Sequence, residues 1–377
     1  MKANRLIAAS LLPAAAVAAT VFVPPDGYKV RWESSELVDK SRVDPWNSTH
    51  ARRIMISRFT PAPRCRKTCR VPYMPAAVAA IEDEIINAYL GGVGWPKNIL
   101  STLELELCCD KCDKGGAGSG GGSGSSSNRF PRILLGSGVN TTRLFYSATA
   151  QHLASRGYEV IVMDHPYETD VVQFPNGDIV FGGRVGRDFN DTANLVKGLD
   201  ARTRDLAFVL DRLGIRKTTY LGHSFGGATA AHALVREPRL ASGVNIDGEF
   251  WGPVTATGVP RAILVVGAEG HNATMTPGWT GFFKAMDAQH PRVFSKLLNV
   301  RDTVHNSFWD MSLVGDIAGL RNNEALLPFL GKATGARVME VLKGYLLDFV
   351  AFTLLGEDEG LLEGPSPRFP DVTFERG

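Results

Sequence analysis

The hexapeptide Gly222-His223-Ser224-Phe225-Gly226-Gly227 constrains this chain more than any other stretch of it. Upstream, Lys217-Thr218-Thr219-Tyr220-Leu221 is rich in β-branched and aromatic residues, the composition of a strand. Downstream, Ala228-Thr229-Ala230-Ala231-His232-Ala233-Leu234 is a good helix former. A strand, a sharp turn and a helix therefore follow in the order a serine nucleophile needs. Gly222 and Gly226 leave room for the tight turn, which lifts the Ser224 hydroxyl above the sheet edge. In a chain with 40 glycines, an accidental Gly-x-Ser-x-Gly loop is the competing reading. The flanking strand and helix decide against it.

From residue 130 onward, strand-like and helix-like segments alternate. That is the pattern of an α/β fold, a mostly parallel central sheet with helices on both faces. Strands are expected at 132–135, 159–163, 217–221, 243–246, 261–266 and 293–300, the last of the series. Helices are expected at 145–155, 200–213 and 337–355. On the last helix Val338, Val341, Leu342, Tyr345, Leu346 and Phe349 form one apolar stripe. Packing against the sheet is its main reading, and a transient lipid-surface contact the lesser one. Earlier in the chain, 28–39 and 51–59 look like strands, the second ended by Pro61 and Pro63. The stretch 75–89 contains a helix with Ile81, Ile85 and Tyr89 on one face. Residues 115–127 are nearly all Gly and Ser, which is expected to be a flexible surface loop within one domain spanning 19–377.

A net charge of +2 with both signs spread along the chain argues against a nucleic-acid partner. The runs Arg52-Arg53 and Arg64-Cys65-Arg66-Lys67 are too short to change this and read as solvated surface. Lys2 and Arg5, an apolar run over 6–18 and the small-x-small end Ala16-Val17-Ala18 have the form of a cleaved secretory signal. Apolar residues continue to Val23, which leaves an uncleaved anchor as the alternative. A secreted protein is expected. Four Asn-x-Ser/Thr sites, at Asn47, Asn140, Asn190 and Asn272, suit that compartment. Five cysteines cluster as Cys65 and Cys69, then Cys108, Cys109 and Cys112. Zinc binding by Cys65, Cys69, Cys109 and Cys112 competes with disulfides joining the two clusters; secretion favours disulfides. No metal or other cofactor is expected.

A serine hydroxyl needs a base, and the base needs orienting. In α/β-hydrolases the chain order is Ser, acid, His. His271, His290 and His305 follow Ser224 at suitable distances. His305 lies in Asp302-Thr303-Val304-His305-Asn306, the loop after the final expected strand, where the base of this fold belongs. His271 and His290 read as ordinary surface or core residues. For the acid, Asp247 ends the strand after the nucleophile strand, and Glu269 ends the next; either position presents a carboxylate to the same imidazole. Asp302 reads as a turn residue. The oxyanion hole takes one N–H from Phe225 and a second from the loop after 132–135, where Val139 is the best placed. A glycan on Asn140 would crowd that loop, so Asn140 is expected to be unmodified.

Three segments resemble the secreted, plasma-type platelet-activating-factor acetylhydrolases and their fungal and bacterial relatives. They are Gly222-His223-Ser224-Phe225-Gly226-Gly227-Ala228-Thr229, then Val304-His305-x-x-Phe308-x-Asp310, then Tyr146-Ser147-Ala148 with Leu153-Ala154-Ser155 and Gly157. The likeness covers about 130–310 well and the N-terminal strands loosely. The resemblance implies Asp247 as the acid, within Asn245-Ile246-Asp247-Gly248, and Val139 as the second oxyanion donor. It implies calcium-independent hydrolysis of the sn-2 acetyl ester of 1-alkyl-2-acetylglycerophosphocholine-like phospholipids by Ser224, His305 and Asp247. Where relatives often carry His-Gly in the oxyanion loop, this chain has Ser137-Gly138, which puts the substrate range in doubt. A general carboxylesterase or cutinase-like polyesterase would use the same triad. A non-catalytic binding protein on a hydrolase fold is the remaining alternative.

Overall fold

The computed structural model describes residues 19–109 and 130–377. The signal segment 1–18, Cys112 and the Gly/Ser stretch 115–127 lie outside the described residues. Among those described, nine strands make the central sheet. In chain order they are β1 Val30–Val43, β2 Ala51–Pro61, β3 Arg132–Gly136, β4 Glu159–Asp164 and β5 Thr218–His223. Then come β6 Leu240–Ile246, β7 Ala262–Ala268, β8 Ser295–Val300 and β9 Val372–Arg376. Across the sheet the order is β9-β8-β7-β6-β5-β3-β4-β2-β1. β3 to β8 are mutually parallel, and β1, β2 and β9 add antiparallel edges. Strand progression reverses about β3, because β4 follows on one side and β5 returns on the other. A crevice therefore opens at the carboxyl ends of β3 and β5.

β3 and β4 are buried along their whole length, as strands covered on both faces must be. On one face, α3 Thr192–Arg212, α4 Phe225–Arg236 and α5 Pro277–Gln289 supply Leu206, Leu234 and Phe282 to a core with Ile54, Leu134 and Ile161. On the other, α1 Ala76–Tyr89, α2 Ser147–Ala154 and α6 Gly335–Val350 supply Val78, Leu153 and Leu342 to a core with Leu135, Val162 and Leu264.

Several expectations need correcting. α3 starts two turns before residue 200, because the Asp191 side chain caps it by accepting the Asn194 N–H at 3.0 Å. β8 is not the last strand: β9 pairs with it antiparallel, Phe374 opposite Leu298. The six apolar residues of the α6 stripe are buried in the core, so this stripe offers no lipid-surface contact. On α1 the fully buried residues are Val78, Ala79, Glu82, Asp83 and Ile86, while Ile81 and Ile85 on the shared face are half-buried and Tyr89 is exposed. Asp83 is tolerated there because it accepts from Trp95 Nε1 at 2.9 Å and from the Leu100 N–H.

The two cysteine clusters are joined by Cys65–Cys108 and Cys69–Cys109. They staple a small sheet in which Thr68–Pro72 pairs antiparallel with Leu103–Cys108. Closing the 43-residue separation of the first bridge contributes about 4 kcal/mol in the chain-entropy model.

Arg52, read from the sequence as solvated surface, is fully buried. Its guanidinium donates to Asp44 at 2.8 Å and Asp205 at 2.7 Å, and Arg42 and His165 also reach Asp205. This network ties the β1–β2 hairpin to α3. Burial alone would raise the Asp205 pKa, but the Arg52 charge and the His165 and Arg52 hydrogen bonds hold it far below the usual carboxylate range. The unfolded chain therefore takes up a proton more readily than the folded one. The stability this group contributes is fully present above about pH 4 and lost as pH falls below it. Melting temperatures measured from about pH 6 down to about pH 3 should fall. Asp205→Asn should cost about 3–5 kcal/mol near neutral pH and flatten that fall; an unchanged slope would contradict this account.

Candidate active site

Ser224 joins β5 to α4 with φ 56° and ψ −123°, a conformation costly for any residue with a Cβ. Its N–H donates to the Ile246 carbonyl at 2.8 Å, and its carbonyl accepts from Gly227 N at 2.8 Å and Ala228 N at 3.1 Å. The surroundings close tightly on this elbow. A Cβ on Gly222 would strike the Gly226 carbonyl, one on Gly226 the Gly136 carbonyl, and one on Gly227 the Asn245 side chain.

Sheet register sets what faces the serine. Gly222 lies opposite Gly136 of β3 and Asn245 of β6. Asp247 follows β6 with φ 57° and donates its N–H to the Val266 carbonyl at 2.7 Å. Its carboxylate is buried and fully engaged. Oδ1 accepts from Ala268 N at 2.8 Å and His271 Nδ1 at 2.5 Å, and Oδ2 accepts from His305 Nδ1 at 2.8 Å. His305 Nε2 lies 3.0 Å from Ser224 Oγ. The structure thus brings Ser224, His305 and Asp247 into one hydrogen-bonded line. Burial would raise the Asp247 pKa; the hydrogen bonds from His271 and His305 outweigh it and leave the carboxylate ionised far below its usual range. Glu269 is not part of this line, since its Oε2 accepts the Asp302 N–H at 3.0 Å. Asp302 sits in a turn at φ 62°. His290 hydrogen-bonds the Thr257 carbonyl.

The segment after His305 is anchored by Asp310. This carboxylate caps α2 by accepting from Ala148 N at 2.8 Å and Thr149 N at 2.9 Å, and also accepts from Tyr73 Oη at 2.9 Å. Segment 304–310 is therefore one mechanical unit, with His305 near one end and its anchor Asp310 at the other.

The loop after β3 is fixed by a buried side chain the sequence analysis missed. Arg202 of α3 donates to the Ser137 carbonyl at 2.6 Å and the Gly138 carbonyl at 2.9 Å. Glu168 balances its charge, with Nε to Oε2 at 2.8 Å. In a trans peptide the C=O and N–H point opposite ways. Holding the Gly138 carbonyl on Arg202 therefore turns the Val139 N–H away from α3. The Gly138 N–H donates to Tyr146 Oη at 2.9 Å, and a Cβ on Gly138 would lie 3.4 Å from Ser224 Cβ. Neither the Val139 nor the Phe225 N–H is engaged by another described residue. Tyr146 also donates to His223 Nδ1 at 2.9 Å, while His223 Nε2 donates to the His305 carbonyl at 3.0 Å. Burial, reinforced by the neighbouring His305, lowers the His223 pKa to about 3, so this link stays neutral.

Ser224 and His305 open into a cavity of about 430 Å³ lined by Val139, Asn140, Phe145, Trp309 and Phe329 among others. Asn140 stands at φ 49° on its wall. Among the described residues no cluster of three or more His, Cys, Asp or Glu side chains is arranged to hold a metal ion.

His271 is the second functional neighbour missed from sequence. Only the identity of the strand before it hinted at a place near Asp247, and nothing local separated it from a surface histidine.

Comparison with known proteins gives a consistent setting. The α/β-hydrolase fold family matches residues 187–267. A probable 1-alkyl-2-acetylglycerophosphocholine esterase of Arthroderma benhamiae is 38% identical over 370 residues, covering 93% of this chain and 92% of that protein. A platelet-activating factor acetylhydrolase of Cavia porcellus is 22% identical over 283 residues, 63% of each chain. A ferulic acid esterase from Streptomyces cinnamoneus superposes with a TM-score of 0.75 and 25% identity, over 95% of this chain and 100% of that one.

The Asp247 hydrogen bond raises the His271 pKa, outweighing the opposing effect of burial. Asp247→Asn should lower the His271 titration midpoint, read from its imidazole resonances in an NMR pH series. An unmoved midpoint would mean that the two side chains do not share the contact.

Proposed function

The chain belongs to the platelet-activating-factor acetylhydrolase family of α/β-hydrolases, and on that premise we propose that Ser224, His305 and Asp247 hydrolyse the sn-2 acetyl ester of a 1-alkyl-2-acetylglycerophosphocholine-like phospholipid. It is a carboxylic ester hydrolase by family. The observation that carries the assignment of residues is the line from Ser224 Oγ to His305 Nε2 at 3.0 Å and from His305 Nδ1 to Asp247 at 2.8 Å.

In the proposed reaction His305 takes the Ser224 proton as Oγ attacks the acetyl carbonyl. The carbonyl oxygen becomes an oxyanion, stabilised by the Val139 and Phe225 N–H groups. Ionised Asp247 keeps the Nδ1 proton in place and stabilises the imidazolium. The intermediate collapses, the carbon–oxygen bond to the glycerol breaks, and His305 gives its proton to the leaving lyso-lipid. Water, activated by His305, then releases acetate and restores Ser224. A glycan on Asn140 would obstruct this cavity, so we propose that this site is left unmodified. Two disulfides support an oxidising compartment. We accordingly propose that the protein is secreted as one domain, 19–377, after removal of residues 1–18. No helix among the described residues is long and apolar enough to cross a membrane.

The ferulic acid esterase neighbour keeps a broader carboxylesterase open as the second reading. Hydrolysis of an acetyl phospholipid, a long-chain phospholipid and a simple acetyl ester, side by side, separates the two. The acetyl phospholipid should be preferred; equal or better turnover of the simple ester favours the second reading. Ser224→Ala should lower kcat by about a million-fold. Asp247→Asn should lower it about ten-thousand-fold, with a far smaller effect for Glu269→Gln; the reverse order would overturn the choice of acid. Because Arg202 acts through the Val139 peptide, Arg202→Gln in folded enzyme should lower kcat about 100- to 1,000-fold with little change in KM. A loss confined to KM would remove Arg202 from this role.

A further inference from the structure

Most acidic side chains around the Ser224 cavity are compensated. Asp164 is held by Arg143, Glu168 by Arg202 and Asp83 by Trp95 and Leu100, while Asp247 is held by two histidines. Glu82 and Asp170 differ. Glu82 projects from α1, is 1% exposed and lines the cavity, and its Oε1 meets no donor among the described residues. Asp170, in the loop after β4, lines the same cavity, and no side-chain hydrogen bond or ion pair engages it among the described residues. Burial, with Asp170 adding like charge, pushes the Glu82 acid well up; burial with Glu168 pushes Asp170 up to about 8.

Two unpaired carboxyls in a largely apolar cavity are expensive unless something else brings positive charge. The neighbouring wall decides the kind of charge. Ile86, Tyr89 and Phe329 face the same space, with the Tyr89 and Phe329 ring centroids 5.8 Å apart. A small divalent cation needs about six oxygen ligands, which this wall does not supply. A quaternary ammonium has no hydrogen bonds to satisfy and is attracted by aromatic faces and carboxylates alike.

We propose that Glu82 and Asp170 form a subsite for a quaternary ammonium group carried on the alcohol portion of the ester. This rests on the esterase reading of Ser224. The cation binds the ionised form of the acids and so draws protons off them, while the adjoining apolar wall covers its methyl groups. Binding there fixes one end of the substrate and brings its acyl end to Ser224. Alcohol selectivity thus resides on α1 and the loop after β4, apart from the triad.

The test uses p-nitrophenyl acetate, whose alcohol carries no positive charge, as the reporter substrate. Choline is compared as a competitive inhibitor with its uncharged isostere, in which a tert-butyl group replaces trimethylammonium. With the wild-type protein choline should inhibit at least about ten-fold more tightly. In Glu82→Gln and in Asp170→Asn the ratio should fall to about one. Taking the ratio within each protein cancels any change in turnover, and a circular dichroism melt identifies a variant that has not folded. Equal inhibition of the wild type by both compounds overturns the subsite, as does a choline preference that survives in either folded variant. Failure to hydrolyse p-nitrophenyl acetate at all counts against the esterase reading instead. Calorimetric titration of the two compounds into wild-type protein then decides the subsite by the same ten-fold criterion.

Discussion

The positive φ at Ser224 is the constraint on which the rest of the site depends. A side chain in that conformation costs about 1–3 kcal/mol and persists only where its surroundings over-determine it. Here the over-determination is steric. Glycines at 222, 226 and 227 let β5, the start of α4 and the neighbouring strands β3 and β6 approach the elbow more closely than any side chain would permit. The same approach places the ends of β3 and β6 beside the serine, and with them the oxyanion loop and Asp247. The turn that exposes the hydroxyl thereby also gathers its partners, and it starts α4 directly after Ser224, with the helix N-terminus beside the hydroxyl.

Around that elbow the supporting side chains act mainly on peptide orientation. Arg202 fixes two consecutive carbonyls of the β3 loop, Tyr146 takes the intervening N–H, and His223 carries the connection on to the backbone of His305. The loop after β3 and the loop that carries His305 are thus joined by neutral hydrogen bonds. Asp247 is the other junction. Two imidazoles and a backbone N–H engage it, which offsets the cost of burying its charge and fixes the direction of each lone pair.

The Ser224 elbow was legible because its whole signal is local: strand residues, glycines and helix formers within about twenty positions. His305 was legible by order along the chain. The acid was not settled by the residues themselves, since Asp247 and Glu269 end adjacent strands and differ only in which turn points inward. β9 escaped notice because it is short and returns to β8 from over seventy residues away. Arg202 of α3 pairs with Glu168 of the loop after β4, and its role depends on which carbonyls it touches, for which sequence carries no sign. The buried side of α1 was not legible because it includes Glu82 and Asp83; a helix packed over a cavity need not hide its most apolar residues. Arg52 likewise became core through partners distant in sequence.

In the proposed mechanism Ser224, activated by His305, presents the oxyanion of its tetrahedral intermediate to the Val139 and Phe225 N–H groups. The most direct measurement is a crystal structure of the protein after reaction with a fluorophosphonate, whose tetrahedral phosphorus mimics the intermediate. The expected result is a covalent bond from Ser224 Oγ to phosphorus, with the phosphoryl oxygen about 2.7–3.1 Å from both N–H groups. An unreacted Ser224, or an adduct whose phosphoryl oxygen points away from Val139 and Phe225, would contradict it.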